Sequence, residues 1–237
     1  MDQAAPKQRS PWLYVLLGCG GLALALCLGM GSCLGYGAYK AKDSMAGMVD
    51  RTKAAQAAVK MLGSIPEGYV AAQSMNMFGL MEMAMLVKGD ELPDGGFDNI
   101  DREFLFFSLI ANDTTKDTKA YFMIAPGQPE PTETNGMMRA KEVIKRGNLT
   151  VDSQKVYYVV SRGDLNVGPQ NQRVTHDGNR LNAAILFDCP GERLHVGVWS
   201  MEDPDPSKDA KSVDLSGTVG DEAQLVTFLK QLTPCGA

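Results

Sequence analysis

The 237-residue chain has room for one large domain or two small ones, and its 44% hydrophobic content is ordinary for a folded protein. The net charge of −5 at pH 7 argues against nucleic acid as a partner, because phosphate binding requires a basic surface. The apolar residues are spread unevenly along the chain, and this distribution predicts how the protein is organised.

The first predicted element is a transmembrane helix. A polar tail at residues 1–10 is followed by a stretch without charge from Pro11 to Tyr39, which is long enough to cross the roughly 30 Å hydrocarbon core of a bilayer. Trp12 and Tyr36 lie near its two ends, where aromatic side chains suit the membrane interfaces. The apolar stretch is longer than that of a cleaved secretory signal. We therefore predict an uncleaved signal anchor at residues 11–39 and a single-pass membrane protein.

Two features of the predicted span bear on its role. Gly31 and Gly35 form a small-xxx-small pair, which allows two membrane helices to approach closely. This pair predicts self-association of the chain or contact with another membrane subunit. Cys33 ends the sequence "MGSC", which loosely resembles a bacterial lipobox, so lipid attachment at Cys33 is an alternative to the plain anchor.

Residues 40–64 are predicted to form a helical stalk. Basic residues outnumber acidic ones by three in residues 40–63, so the rest of the chain is acidic and the stalk is suited to anionic lipid headgroups. Apolar and small residues recur at spacings of three and four, as in a weak heptad seam. This spacing fits either an exposed seam or a helix that lies along its own soluble domain. Pro66 and Gly68 mark the boundary to a soluble domain at residues 65–237.

From Tyr69 the hydrophobic period changes to two, which is typical of strands. The predicted strands are 69–77, 80–88, 103–112, 119–125, 142–146, 155–161, 183–188 and 194–201. The sequence "NGMMRAKEVIK" fits a strand or a short helix, and its pattern does not separate the two. Loops rich in Gly, Pro, Asn and Asp separate the strands.

The chain ends with a predicted helix in "GDEAQLVTFLKQLTPCG". Asp221 is a suitable N-cap, and Pro234 stops the helix. One apolar face is formed by Leu225, Phe228, Leu229 and Leu232. The predicted fold is therefore α+β, with a mostly antiparallel sheet and a C-terminal helix packed on it.

Methionine is concentrated in "SMNMFGLMEMAML", residues 74–86. Alternate residues of a strand share one face, so the sequence predicts a hairpin that bends at Phe78 and Gly79 and places five thioethers together. Clustered thioethers bind Cu(I), but methionine also fills irregular core space. Core packing is the favoured interpretation, and copper binding is the alternative. The five residues are Met75, Met77, Met81, Met83 and Met85.

Three of the five cysteines lie in the predicted span, and only Cys189 and Cys235 lie in the soluble domain. A disulfide between these two would fix the terminal helix to the sheet. Such a bond requires an oxidising compartment, so the pair favours an extracytoplasmic domain, periplasmic or extracellular. Lys and Arg flank the span almost evenly, so charge barely contributes to this topology.

Catalytic and metal-site patterns are absent from the sequence. No GxSxG elbow occurs near His176 or His195, and the acidic loops "DELPDGGFDNIDRE" and "MEDPDPSKD" do not match the EF-hand spacing. We therefore predict a non-enzymatic protein without a cofactor, which binds or scaffolds a partner at the membrane. The alternatives are an accessory subunit of a membrane complex, held by its Gly-rich helix, and a periplasmic Cu(I)-handling protein.

Overall fold

A computed structural model of the chain describes residues 50–89, 101–125, 127–128, 138–167, 172–173 and 179–236. Within these ranges no helix is both long enough and apolar enough to cross a membrane. The predicted span at residues 11–39, and with it Gly31, Cys33 and Gly35, lies outside the described residues.

The core of the fold is a seven-stranded antiparallel sheet in the order β1-β2-β3-β8-β7-β5-β4. A short strand, β6, pairs with the end of β5. Every described pairing is antiparallel. The neighbours β3 and β8 are not consecutive in the chain, and neither are β5 and β7. The strands are β1 Tyr69–Met77, β2 Met81–Lys88, β3 Arg102–Ile110, β4 Met138–Val151, β5 Gln154–Val167, β6 Gln172–Arg173, β7 Arg180–Phe187 and β8 Arg193–Glu202.

Three α-helices of the described residues accompany the sheet: α1 Arg51–Leu62, α2 Asp113–Phe122 and α3 Glu222–Leu229. Each begins at a side chain that caps its first turn. Asp50 accepts hydrogen bonds from the backbone N–H groups of Thr52 and Lys53, at 3.0 and 3.3 Å. Asp221 accepts from the N–H of Ala223 at 2.9 Å, so the predicted N-cap of the C-terminal helix is confirmed.

One face of the sheet is covered by α1 and α3, and the largest core cluster lies between them and the strands. Phe228 of α3 is at its centre: its ring stacks on Trp199 with centroids 4.4 Å apart and meets Phe104 edge-on at 5.0 Å. Burial of these aromatic side chains supplies much of the free energy that holds α3 on the sheet. The predicted α+β fold with a C-terminal helix on an antiparallel sheet is confirmed.

The second half of the predicted stalk forms α1, and α1 belongs to this core. Ala54, Ala58 and Leu62 are fully buried against the sheet, and their spacing of four places them on one side of the helix. Gly63 ends α1 with a positive φ of 79°. A Cβ there would lie 1.8 Å from the hydroxyl oxygen of Thr233, so only glycine permits the contact between the ends of α1 and α3.

The opposite face carries a second core cluster, which includes Tyr121 and Phe122 of α2. The guanidinium of Arg146 donates to the backbone oxygen of Tyr121 at 2.8 Å and lies 5.0 Å from the centroid of its ring. Lys119 forms an ion pair with Asp188 at 2.9 Å. These contacts fix α2 over the sheet.

The prediction of a strand at 119–125 is wrong, since residues 113–122 form α2. Asn112 caps this helix together with Thr115, each side chain bonding the other's backbone N–H. Buried residues recur at a spacing of three, at Thr115, Thr118 and Tyr121, which is helical. The short apolar run after Lys119 fits a buried strand only when the capping sequence before it is ignored. The ambiguous "NGMMRAKEVIK" lies partly in β4 and is a strand from Met138 onward.

Candidate functional site

The exposed large apolar side chains of the described residues are concentrated at one end of the sheet. Four of the six lie at the turn between β1 and β2 and at the adjacent end of β3. We call this surface the apolar tip. Its members and their exposed fractions are Met77 44%, Phe78 64%, Leu80 63% and Ile110 43%. Contiguous exposed apolar surface of this kind marks interaction sites in folded proteins.

The turn of the apolar tip has an unusual backbone for its sequence. Leu80 donates its N–H to the backbone oxygen of Met77 at 2.9 Å, and the two residues between them have positive φ values, 53° for Phe78 and 77° for Gly79. Turns with two such residues favour Asn-Gly or Asp-Gly. An aromatic side chain in this region costs about 1–2 kcal/mol relative to ordinary backbone. Phe78 is therefore both strained and exposed.

A network of polar side chains supports the turn from one side. Arg193, at the start of β8, donates to the backbone oxygen of Gly79 at 2.9 Å and to the hydroxyl of Ser108 at 2.7 Å. Its guanidinium also meets the carboxylate of Glu82 at 3.3 Å. Asn76 joins Glu82 at 3.1 Å and accepts the N–H of Gly79 at 2.8 Å. We call these contacts the Arg193 network, and they hold the turn in one conformation.

The five methionines of residues 74–86 lie on the two arms of this hairpin, as the sequence predicted. Met75 pairs directly with Met83, and Met77 with Met81, so these four side chains share one face of the sheet. Met81 and Met83 pack against the second core cluster, and Met85 packs in a small cluster with Ala72 and Val87. Packing decreases toward the turn, where Met77 is exposed. No group of three or more His, Cys, Asp or Glu able to hold a metal occurs among the described residues.

His195 lies in β8, as predicted, and is next to the Arg193 network. It is directly opposite Ser108 in the sheet, and its ring stacks on Phe106 with centroids 6.0 Å apart. Burial lowers the pKa of the His195 imidazole, and the positive charge of Arg193 lowers it further. The hydroxyl of Ser108 accepts a bond from Arg193, so it is occupied by a structural contact. Ser108 and His195 therefore lie within the sheet, beside the Arg193 network.

Two aspartates of the acidic loop "MEDPDPSKD" form ion pairs within the protein. Asp203 is fully buried and forms an ion pair with Arg162 at 2.6 Å. Asp205 forms an ion pair with Lys208 at 2.7 Å, and its backbone oxygen accepts a hydrogen bond from Arg162 at 3.1 Å. The loop is therefore held against the end of β5. His176 lies outside the described residues, and so does the other acidic loop except for residues 101–103.

Cys189 and Cys235 are joined at disulfide distance, as predicted, with their Cα atoms 5.1 Å apart. The amide nitrogen of Gln154 donates to both sulfurs. A cavity of about 100 Å³ lies next to the disulfide. The cavity is between the β4–β5 turn and the end of α3. Its walls are mostly apolar and include Phe187 and Leu232. The bond thus ties the C-terminal segment to the end of β7.

A comparison with protein-family models gave no match to this chain. A comparison with curated proteins gave no match either. The function must therefore be inferred from the residues and their geometry.

Sequence reasoning located the hairpin but missed the apolar tip and the Arg193 network. The missed residues are Phe78, Leu80, Ile110 and Arg193. One local signal was available, because Phe precedes Gly at the centre of a predicted turn where Asn is the usual residue. Arg193 gave no such signal, since its partners are more than 80 residues away in the chain.

Proposed function

We propose that this chain is a membrane-anchored, extracytoplasmic binding domain that contacts a protein partner through the apolar tip and has no catalytic activity of its own. The observation that carries the proposal is Phe78, an aromatic residue that is 64% exposed with a φ of 53°. Strain and apolar exposure are both unfavourable in the isolated domain. A residue that combines them is explained by a contact that buries the ring.

The rigidity of the tip supports a binding role. The turn's backbone is fixed by Arg193 and Asn76, so little conformational entropy is lost when a partner binds. Preorganised contacts of this kind raise affinity. Large aromatic side chains at the centre of an interface supply much of the binding energy. Phe78 is placed for this role, and Leu80 and Ile110 widen the contact.

The chemistry of the surroundings favours a protein over a lipid surface as the partner. No member of the apolar tip is charged, so a matching surface is an apolar pocket. The chain beyond residue 63 is acidic, and anionic headgroups repel an acidic domain. The predicted anchor at residues 11–39 and the disulfide-distance pair support placement outside the cytoplasm.

The proposal is tested by photo-crosslinking in intact membranes. A photoreactive phenylalanine analogue at position 78 should give a defined adduct with its partner, and the same analogue at Met123 should not. Met123 is the matched control because it is 41% exposed and lies at the end of α2. Phe78→Asn should abolish co-purification of the partner identified by the adduct, whereas Met123→Asn should leave it unchanged. Equal co-purification by both variants would refute the role of the tip.

An accessory-subunit role is the alternative in which the predicted membrane helix, with Gly31 and Gly35, makes the contact. The two proposals differ in what a helix exchange does. Replacing residues 11–39 with an unrelated apolar helix should keep the adduct at position 78 if the tip binds the partner. Loss of association after the exchange, with the tip intact, favours the accessory-subunit role.

Cu(I) handling is the second alternative, and the cross-strand pairs Met75–Met83 and Met77–Met81 favour it. Four thioethers on one face of a hairpin provide the ligands that Cu(I) prefers. Titration of the oxidised soluble domain with Cu(I) against a competing chelator tests this role. Stoichiometric binding that is lost in a Met75→Leu, Met77→Leu variant would support it. Unchanged weak binding in both proteins would exclude it.

A further inference from the structure

The two edges of the sheet differ in how they are protected against pairing with another strand. The β4 edge carries Lys145 and Arg146, contains Gly147, and is interrupted by two shifts of register. Charges and bulges of this kind block edge-to-edge pairing. The β1 edge carries no charged residue and no proline over its nine residues. Among the described residues, β1 pairs only with β2.

The C-terminal half of β1 has a regular backbone register, which would allow another strand to pair with it. Its single shift of register falls between Ala71 and Gln73. From Gln73 to Met77 the residues pair with β2 without interruption. This five-residue segment leads directly into the apolar tip, whose first member is Met77. An unprotected edge and an exposed apolar surface are therefore continuous.

We propose that this edge pairs with the β1 edge of a second copy of the same chain, antiparallel and centred on Met75. The segment matches itself, because an uncharged strand paired with its own copy buries no unmatched charge. Centring on Met75 places Met77 opposite Gln73 of the other copy, and the turn beside residues 70–73. There Phe78 would lie beside the partly exposed side chains of Val70 and Met85. This pairing is the two-fold symmetric contact that homodimers favour.

The tether favours a second copy over an unrelated strand. Residues 40–50 join the predicted span to α1 and reach at most about 40 Å when fully extended. Two chains whose spans associate through Gly31 and Gly35 would hold their domains at a high effective concentration. The inference rests on the proposed function for the tip, and it adds the identity of the partner and the role of the β1 edge.

Cysteine crosslinking of the full chain in its membrane tests the pairing. Cys19, Cys27 and Cys33 are replaced by alanine, and Cys189 and Cys235 are kept. Met75→Cys should form a disulfide-linked dimer on mild oxidation, because directly opposite residues in antiparallel strands have Cβ atoms about 5 Å apart. Asn148→Cys is the matched control on the β4 edge, where the side chain is also exposed, and it should remain monomeric.

A second substitution tests whether the dimer depends on strand pairing. Gln73→Lys in the Met75→Cys chain places a charge on the edge, which is solvated in the monomer and unfavourable in the pair. The dimer should be lost while the circular dichroism of the chain is unchanged. Absence of a dimer from cysteines at every position from 73 to 77, or equal dimer from Asn148→Cys, would overturn the inference. In either case an adduct between position 78 and a different protein would leave the proposed function standing.

Discussion

Arg193 donates to the backbone oxygen of Gly79, 114 residues away in the chain, at 2.9 Å. The same guanidinium reaches the hydroxyl of Ser108 and the carboxylate of Glu82. One side chain at the start of β8 therefore fixes the turn between β1 and β2 and the end of β3. The conformation of the apolar tip depends on the complete sheet, and not on the hairpin alone.

Arg193→Lys should loosen the apolar tip without unfolding the sheet. A lysine ammonium cannot reproduce the fork of the guanidinium, so several of its bonds to Gly79, Ser108 and Glu82 are lost. We expect the free energy of unfolding to fall by about 1–3 kcal/mol. Hydrogen exchange should speed up most at the amides of Leu80 and Ile110. Uniform acceleration over β5 and β7 would contradict a local role.

Phe78→Asn should stabilise the isolated domain. Asparagine tolerates a positive φ better than phenylalanine does, and the change also removes exposed apolar surface. We expect the free energy of unfolding in urea to rise by about 1 kcal/mol. Leu80→Asn is the control, because Leu80 is equally exposed but lacks a positive φ, and it should give no comparable gain. A fall in stability for Phe78→Asn would show that the ring makes a stabilising contact within the domain.

Replacement by serine should affect stability differently at Met83, which is packed, and at Met77, which is exposed. Met83 packs against the second core cluster, so Met83→Ser should cost about 1–3 kcal/mol, whereas Met83→Leu should cost less than about 1.5 kcal/mol. Met77 is 44% exposed, and Met77→Ser should change stability by less than about 0.5 kcal/mol. Urea denaturation of the three variants measures this gradient. Equal losses of stability for Met83→Ser and Met77→Ser would show that the two side chains are equally buried.

Removal of the disulfide should destabilise the C-terminal segment first. Cys189 and Cys235 are 46 residues apart, and closing a loop of that length is worth about 4 kcal/mol on the chain-entropy model, with measured values often lower. A Cys189→Ala, Cys235→Ala variant should lose about 2–4 kcal/mol. Limited proteolysis should then cut after α3 before it cuts the sheet. Reductant should have no further effect on this variant, which serves as the control.

Acidification should destabilise the domain through His195. Burial and Arg193 lower the pKa of its imidazole, while Glu82 opposes this shift. The unfolded chain then binds a proton at a higher pH than the folded chain, so stability falls as the pH drops through and below about 6.5. His195→Gln should reduce the loss of stability between pH 7.5 and 5.5, measured by urea denaturation. An identical loss in both proteins would assign it to other groups.

Most strands were predictable because apolar runs or alternating residues are bounded by turn residues in the sequence. β1 was predicted with its observed bounds, and the predicted strand 194–201 lies within one residue of β8 at each end. The predicted strand 183–188 begins three residues after the start of β7. Residues 119–125 were misassigned because the short apolar run after Lys119 also fits a buried strand, while the cap that starts the helix lies at Asn112. The Arg193 network was not predictable, since a guanidinium's distant partners leave no local pattern.

The buried alanines of α1 determine how a mechanical load enters this domain. Any pull transmitted from the chain before Asp50 acts first on α1, which is held to the sheet by side-chain packing of Ala54, Ala58 and Leu62. Such packing yields gradually, whereas rows of backbone bonds in a sheet resist shear together. Under tension α1 would peel from the sheet before any strand separates, and it would refold when the tension ended. We therefore expect α1 to be the first element of the described domain to extend under such a load.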